Sequence, residues 1–302
     1  MRAKIKKRQR NRNLTLLAAA VIVIAVVVVS VYYFSTLTNS GSSEDGKLVP
    51  STVYRPVYNM AVSPTYGPSN TTLVSSKYVQ TYNGQAFTTG GKPVLVYVGA
   101  EYCPYCAFQR WPMVMALMRF GNFTNLKLMQ SSPTDVYANT PTFSFYGSSY
   151  SSNYLIFQPY EQEDRSGAPL QTVPTNYTTP FAHYGGNYPF LDFNNKYVIE
   201  GSYFFPTLFA SLNWTQVIQQ IQTNTELSIQ VLSSANAITA LICNMTGGNP
   251  SSVCTNSAIV SLPITLVSYH PDSGPTLVVG TYDGPRNSPF ATASAPRRAA
   301  DF

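Results

Sequence analysis

The run KPVLVYVGA, residues 92–100, is apolar and rich in β-branched residues, and it passes without a linker into EYCPYC. CAFQRWPMVMALMRF, residues 106–120, follows with apolar residues at helical recurrence and Pro112 in their midst. A near-continuous apolar run of this length reads as a strand buried on both faces. The order therefore predicts a buried strand, a tight turn carrying Cys103 and Cys106, and a helix that kinks at Pro112. Few α/β arrangements satisfy all three.

What such a thiol pair is used for depends on its redox compartment. Residues 1–13 carry seven Lys and Arg and no acid, and Leu14 to Phe34 then run without a charge. That run is long enough to cross a bilayer. A cleavable signal would have a shorter apolar region and a small-residue cleavage site, whereas SVYYFSTLT follows here. The basic flank favours a cytoplasmic N-terminus, with Tyr32 and Tyr33 at the outer interface. The expected topology is a cytoplasmic tail (1–13), a single transmembrane anchor in the lipid bilayer (14–34), and everything beyond outside the cell. All four cysteines lie beyond residue 100.

The formal charge of +6 is then misleading, because setting aside the tail's seven cations leaves 12 Lys and Arg against 13 acids. No basic stripe remains for nucleic acid, so no nucleic-acid partner is expected. Charged residues are only 11% of the chain, far below the usual share of about a quarter. An acidic medium or a glycan-covered surface would each account for such an exterior. Asn70, Asn122, Asn176, Asn213 and Asn244 all open Asn-x-Ser/Thr triplets.

Residues 35–52 read as a flexible linker, and a folded domain is expected over 53–245, followed by a C-terminal extension over 246–302. Residues 121–195, dominated by Ser, Thr, Asn, Tyr, Phe and Pro, read as a long structured insertion whose elements are not assignable. KYVIEGSYFFPTLFASLN (196–213) reads as one or two strands with Pro206 inside. Residues 214–243 read as helix broken near Asn224.

A cysteine facing a helix N-terminus has its thiolate favoured by the macrodipole and unpaired amides, and a partner three residues on sits one turn away. This makes Cys103 the expected nucleophile and Cys106 the more buried, resolving thiol. Pro104 suits the first helical position, where no amide partner is needed. A purely structural disulfide between these two would close too short a loop to constrain the unfolded chain. A zinc site normally needs four donors, and His183 and His270 do not stand at ligand spacing from any cysteine. A working redox pair, an inert scaffold and a metal clip are the three readings, and the first fits the spacing best. In CNMTGGNPSSVC, Cys243 and Cys254 are expected to form a structural disulfide across a turn; a second shuttle pair is the alternative.

These residues resemble the thioredoxin superfamily. VLVYVGAEYCPYC is similar to that family's strand and CxxC motif, and FFPTL is similar to its second landmark, a cis-proline before a strand. The resemblance implies an α/β, thioredoxin-like fold with a long insertion on a single N-terminal transmembrane helix. It implies catalytic roles for Cys103, Cys106 and Pro206 and a substrate groove formed by Phe205, Tyr102 and Tyr105. Tyr97 and Tyr102 depart from the family, standing where thioredoxin has a buried acid and a tryptophan. Glu101 and Glu200 are then the nearby candidates for proton transfer. More narrowly, the anchor, YCPYCAFQRW and the late cysteine pair resemble an archaeal membrane-anchored family of uncharacterised function. The implied activity is extracytoplasmic thiol–disulfide exchange on secreted or surface proteins, with no cofactor or metal and with a membrane redox partner to recharge the pair. A redox-inert, thioredoxin-like binding module is the alternative.

Overall fold

The computed structural model describes residues 22–29, 44–67, 79–82, 84–202, 206–262, 266–270 and 274–278. The chain divides into two units, 1–43 and 44–302. In the first, residues 22–29 form a helix, α1, whose Ile and Val side chains are exposed. The rest of the expected anchor, 14–34, lies outside the described residues.

The second unit is a mixed α/β fold. It begins with α2 (Ser51–Ala61), β1 (Val79–Thr81), β2 (Thr88–Thr89), β3 (Lys92–Gly99) and α3 (Pro104–Met118). Two hairpin-like pairs follow from β4 (Gly121–Thr124), β5 (Lys127–Gln130), β6 (Pro141–Ser144) and β7 (Ser149–Ser152), with β4 antiparallel to β7 and β5 antiparallel to β6. The chain then forms β8 (Ile156–Glu161), α4 (Thr175–His183), β9 (Phe190–Phe193) and β10 (Tyr197–Glu200). A 3-10 turn at Pro206–Phe209 leads to α5 (Trp214–Gln222), α6 (Glu226–Met245), α7 (Ser251–Cys254) and α8 (Ser257–Val260), and β11 (Leu266–His270) and β12 (Gly274–Val278) close the described chain.

The main sheet runs β12-β11-β1-β10-β9-β3-β2, with β8 also paired to β3. β3 is flanked by β8 in parallel, Val94 opposite Ile156, and by β9 antiparallel, Val96 opposite Asp192. Alternation along the pleat sends its side chains to two different cores. Leu95 and Tyr97 join Phe108, Trp111, Leu191, Phe193 and the α6 side chains on one face. Val94, Val96 and Val98 join Phe190, Val198 and Tyr184 on the other, under Tyr177 and Phe181 of α4. α3 is buried on every side except at Tyr105. A helix this enclosed is apolar all round and carries little amphipathic signal. α6 is apolar and long enough to cross a membrane, yet 83% of its most apolar window is buried inside the protein. Here it is a core helix.

Arg119 ties three helices together. Its guanidinium donates to Ala61 O (2.9 Å), Asn236 Oδ1 (2.8 Å) and Thr239 Oγ1 (2.7 Å) and lies 3.8 Å from the Tyr66 ring centroid. Burial lowers its pKa to about 9.

Four expectations change. The linker does not extend to residue 52: Gly46 and Val49 donate to Leu128 O and Leu126 O at 2.8 Å each, so the fold takes hold from Glu44, and α2 starts at Ser51 rather than after 52. Residues 121–195 are not a separate insertion, because they supply β8 and β9, both immediate neighbours of β3. Burial of Phe157, Phe190, Leu191 and Phe193 is what draws them into the sheet. The C-terminal stretch is no appendage, since β11 pairs with β1. Residues 206–209 form a 3-10 turn rather than a strand, and Phe209 there packs edge-on against Phe108, ring centroids 5.0 Å apart. The break near Asn224 falls between α5 and α6, with Asn224 at φ 55°.

Candidate functional site

The site is built where β3 ends. At Gly99 a Cβ would lie 2.1 Å from Tyr97 Oη, so only glycine lets the Tyr97 phenol fold up toward the turn. Cys103 then caps α3: it has extended backbone angles (φ −73°, ψ 120°), and its Sγ accepts a hydrogen bond from Cys106 N at 3.2 Å. Pro104 occupies the first helical turn and withholds no needed donor. The two thiols are free, with Cys103 6% exposed and Cys106 fully buried. Ala100 and the rings of Tyr102, Tyr105 and Tyr188 pack around them.

The electrostatics of the two thiols diverge. Hydrogen bonding from the Cys106 side chain, supplemented by its backbone amide and the charge of Arg110, holds the Cys103 pKa below the ordinary thiol value against the cost of burial. Cys106 is pushed well above that value, first by burial and then by its neighbour Cys103. One sulfur is thus prepared to carry negative charge and the other to keep its proton.

Below the pair lies a buried ion pair. Arg110, four residues beyond Cys106 on α3, donates through Nε to Glu161 Oε1 at 2.9 Å and through Nη2 to Glu161 Oε2 at 2.6 Å. The same Nη2 reaches the carbonyl of Ala100 at 2.7 Å, fixing the turn ahead of the motif. Both side chains are fully buried. Arg110 Nη1 and Tyr97 Oη have no hydrogen-bond partner, and the guanidinium carbon lies 5.8 Å from the Tyr97 ring centroid. Glu101 is buried and accepts from the Ser144 hydroxyl; burial raises its pKa. Glu200, at the end of β10, accepts from Asn187 Nδ2 at 2.8 Å.

A cleft of about 620 Å³ opens beside the motif, lined by Tyr102, Ser132, Asp135, Glu163, Arg165 and their neighbours. The carbonyl of Tyr102 accepts from Ser132 N at 2.8 Å, which joins the cysteine turn to the cleft wall. Arg165 is committed to that wall through Asn139 Oδ1 (2.6 Å) and Asp45 (3.3 Å).

Of the residues expected from sequence, Cys103, Cys106, Tyr102 and Tyr105 come together. Pro206 is buried at the start of its 3-10 turn, while Phe205 lies outside the described residues and with it the Phe205–Pro206 bond. A cis bond does precede Pro189, at the entry to β9, where Tyr188 packs on the thiols and donates to Gln162 Oε1 at 2.8 Å. Sequence reasoning missed Arg110, Glu161 and Tyr188. The first was findable, standing one helical turn after Cys106 in a charge-poor chain. Away from the site, Cys243 is joined to Cys254, with their Cα atoms 5.5 Å apart. Among the described residues no group of three or more His, Cys, Asp and Glu side chains is arranged to hold a metal ion.

No curated protein and no solved structure matches the chain. Residues 77–244, which span the sheet centre, the CPYC motif and most of α6, match one family's model over more than half the chain, and the protein belongs to that family, Domain of unknown function (DUF929).

Proposed function

We propose that this protein is a thioredoxin-like thiol–disulfide oxidoreductase, held by residues 14–34 at the outer face of a membrane and acting on secreted or surface proteins. The observation that carries the reading is the pair of free cysteines on one helix start with opposite electrostatics, Cys103 lowered and Cys106 raised. The Cys103 thiolate attacks one sulfur of a client disulfide. The client S–S bond breaks, the departing client sulfur takes from solvent the proton that Cys103 gave up on ionising, and a mixed disulfide joins Cys103 to the client. Cys106 then attacks Cys103 Sγ, closing the Cys103–Cys106 disulfide, and its proton passes to the second client sulfur. Two electrons and two protons move from the enzyme pair to the client, and the reverse course oxidises a client dithiol.

Clients approach from the cleft beside Tyr102, whose open, mixed lining of a tyrosine with hydroxyl and charged side chains suits an extended polypeptide. Tyr188, ahead of β9, adds a third ring to Tyr102 and Tyr105 around the thiols. A membrane redox partner resets the pair after each turnover. The slight exposure of Cys103, 6%, is the one observation that favours a redox-inert binding module instead.

The deciding experiment equilibrates the purified domain with glutathione buffers and assays insulin reduction and oxidation of a reduced peptide. A defined Cys103–Cys106 equilibrium with turnover in either direction supports exchange. Wild-type protein that exchanges with neither probe would establish the inert module.

A further inference from the structure

We propose that Arg110 and Tyr97 are positioning residues that stabilise the Cys106 thiolate as it forms in the resolving step, with Glu161 holding Arg110 in place. The inference deepens the exchange reading and rests on it.

Buried donors without acceptors are uncommon and call for a reason. Two of them are Arg110 Nη1 and Tyr97 Oη; the guanidinium carbon lies 5.8 Å from the Tyr97 ring centroid, and Arg110 Nη2 donates to Ala100 O just ahead of the CPYC motif. Both belong to side chains with no solvent exposure. Arg110 is spaced one turn from Cys106 along α3, so the two share a helix face. Its other two nitrogens are spent on Glu161 and on Ala100 O, which fixes the guanidinium plane and leaves Nη1 as the free corner. Tyr97 is locked by Phe145, edge-on at 5.3 Å between centroids, and by the absence of a side chain at Gly99. In the resting dithiol the two donors have nothing to bond. When Cys106 gives up its proton to attack the mixed disulfide, a full negative charge appears in a dry site, and preformed donors are worth most there.

The charge logic agrees. Among the described residues, the titratable and charged groups around the pair are Tyr97 on β3, Glu161 on β8, Glu101 and Tyr102 in the turn, Tyr105 and Arg110 on α3, Glu163 beside the turn, and Tyr188 ahead of β9. Arg110 is the only cation among them. Its charge opposes the burial that raises Cys106, and it also favours the Cys103 thiolate. The Tyr97 phenol is itself raised well above its ordinary value by burial, so it stays protonated and keeps its O–H as a donor. Because Cys106 starts so strongly protonated, resolution is the step that needs help. The proton it loses ends on the client thiol, so the balance requires no added reactant.

The test mixes reduced enzyme with oxidised glutathione, quenches with acid at intervals, and follows glutathionylated Cys103 by mass. Tyr97→Phe removes only the hydroxyl. Arg110→Met with Glu161→Met removes the ion pair as a unit, avoiding a lone buried charge. Both variants are expected to form the mixed disulfide at close to the wild-type rate when assayed above the Cys103 pKa, and to resolve it about tenfold more slowly, which corresponds to about one pKa unit at Cys106. The paired variant should also shift the dithiol–disulfide equilibrium about tenfold toward the disulfide, about 30 mV. Arg110→Lys, which restores charge without the planar fork, should recover part of the loss. Resolution within about twofold of wild type in both variants, with unchanged thermal denaturation, overturns the proposal. A wild-type enzyme that glutathione never modifies sinks the exchange reading instead. The alkylation pH profile of Cys106 in the Cys103→Ser background then decides the donor role alone: an upward shift on loss of Tyr97 Oη or Arg110 supports it, and an unmoved profile refutes it.

Discussion

The chain carries two cysteine pairs, and the fold treats them in opposite ways. Cys243 lies in the last turn of α6 and Cys254 ends α7; they are 11 residues apart, covalently joined, fully buried, and enclosed in the main apolar core. Cys103 and Cys106 are three residues apart, unjoined, and set in a small separate cluster of Ala100 and tyrosines over a buried Arg–Glu pair. Closing the longer loop removes real entropy from the unfolded chain, while closing the shorter one removes little. An apolar wall around the first pair gives a thiolate nothing to rest on. The second has a helix start, amides and a cation. Spacing and surroundings therefore suit one pair to stability and, on the proposed reading, the other to chemistry.

The largest effect that would break this division is loss of exchange. Cys103→Ser should reduce turnover with glutathione or peptide disulfides to background, and Cys106→Ser should trap mixed disulfides through Cys103. Mass mapping of trapped adducts checks both. Adducts at 243 or 254 would make the second pair a shuttle and erase the contrast.

Next comes stability. Replacing Cys243 and Cys254 together by Ala should cost about 3 kcal/mol in denaturant unfolding, by the loop-entropy account for a ring of this size. It should leave exchange at Cys103 unaltered. A variant that kept its stability but lost activity would reverse the two roles.

The same contrast marks what the sequence made legible. Strand, turn and helix around CPYC were readable because β3 is apolar along its length and Cys103 and Pro104 suit the start of a helix. The disulfide was readable from Gly247, Gly248 and Pro250, whose turn returns the chain to α6. What escaped was long-range. β8 and β9 are short runs within a polar, aromatic stretch, and only pairing with β3 identifies them as central strands. Glu161 ends β8 and finds Arg110 across 51 residues, a partnership that no local pattern announces. α6 was legible as a helix but not as core: its length and apolarity fit a membrane span as well, and only tertiary packing distinguishes the two.

A smaller effect separates the two thiols of the CPYC pair. In the reduced Cys106→Ser variant, whose hydroxyl keeps a donor beside Cys103, alkylation of Cys103 should rise with pH to a midpoint below the ordinary thiol value; in the Cys103→Ser variant, that of Cys106 should rise only well above it. At neutral pH the rates should differ by tenfold or more, since each pKa unit is about a factor of ten in thiolate. Stability follows with a definite sign. A depressed folded pKa at Cys103 contributes stability that is fully present above the unfolded thiol pKa and lost as pH falls through the folded one. Reduced Cys106→Ser protein should therefore gain stability relative to the double serine variant as pH rises through that window. Equal midpoints for the two thiols would remove the electrostatic half of the comparison.

The smallest effect concerns the sulfur as a structural group. Cys103 Sγ caps α3 by accepting from Cys106 N, as Thr225 Oγ1 caps α6 by accepting from Ser228 N at 3.3 Å. A hydroxyl is among the preferred caps and alanine is not, and loss of a cap costs about 1 kcal/mol. At a pH below the Cys103 pKa, where the thiol is protonated, Cys103→Ser should thus hold the stability of the reduced protein, while Cys103→Ala should lower it by something under about 1 kcal/mol, sulfur being the weaker acceptor. Thr225→Ala should cost a similar amount with no change in exchange, because its helix leads to the disulfide and not to Cys103 and Cys106. Denaturant unfolding of the reduced proteins reads all three. If the serine and alanine variants at 103 were equally stable, the sulfur would contribute nothing to the start of α3, and the place of Cys103 at the head of that helix would serve the thiolate alone.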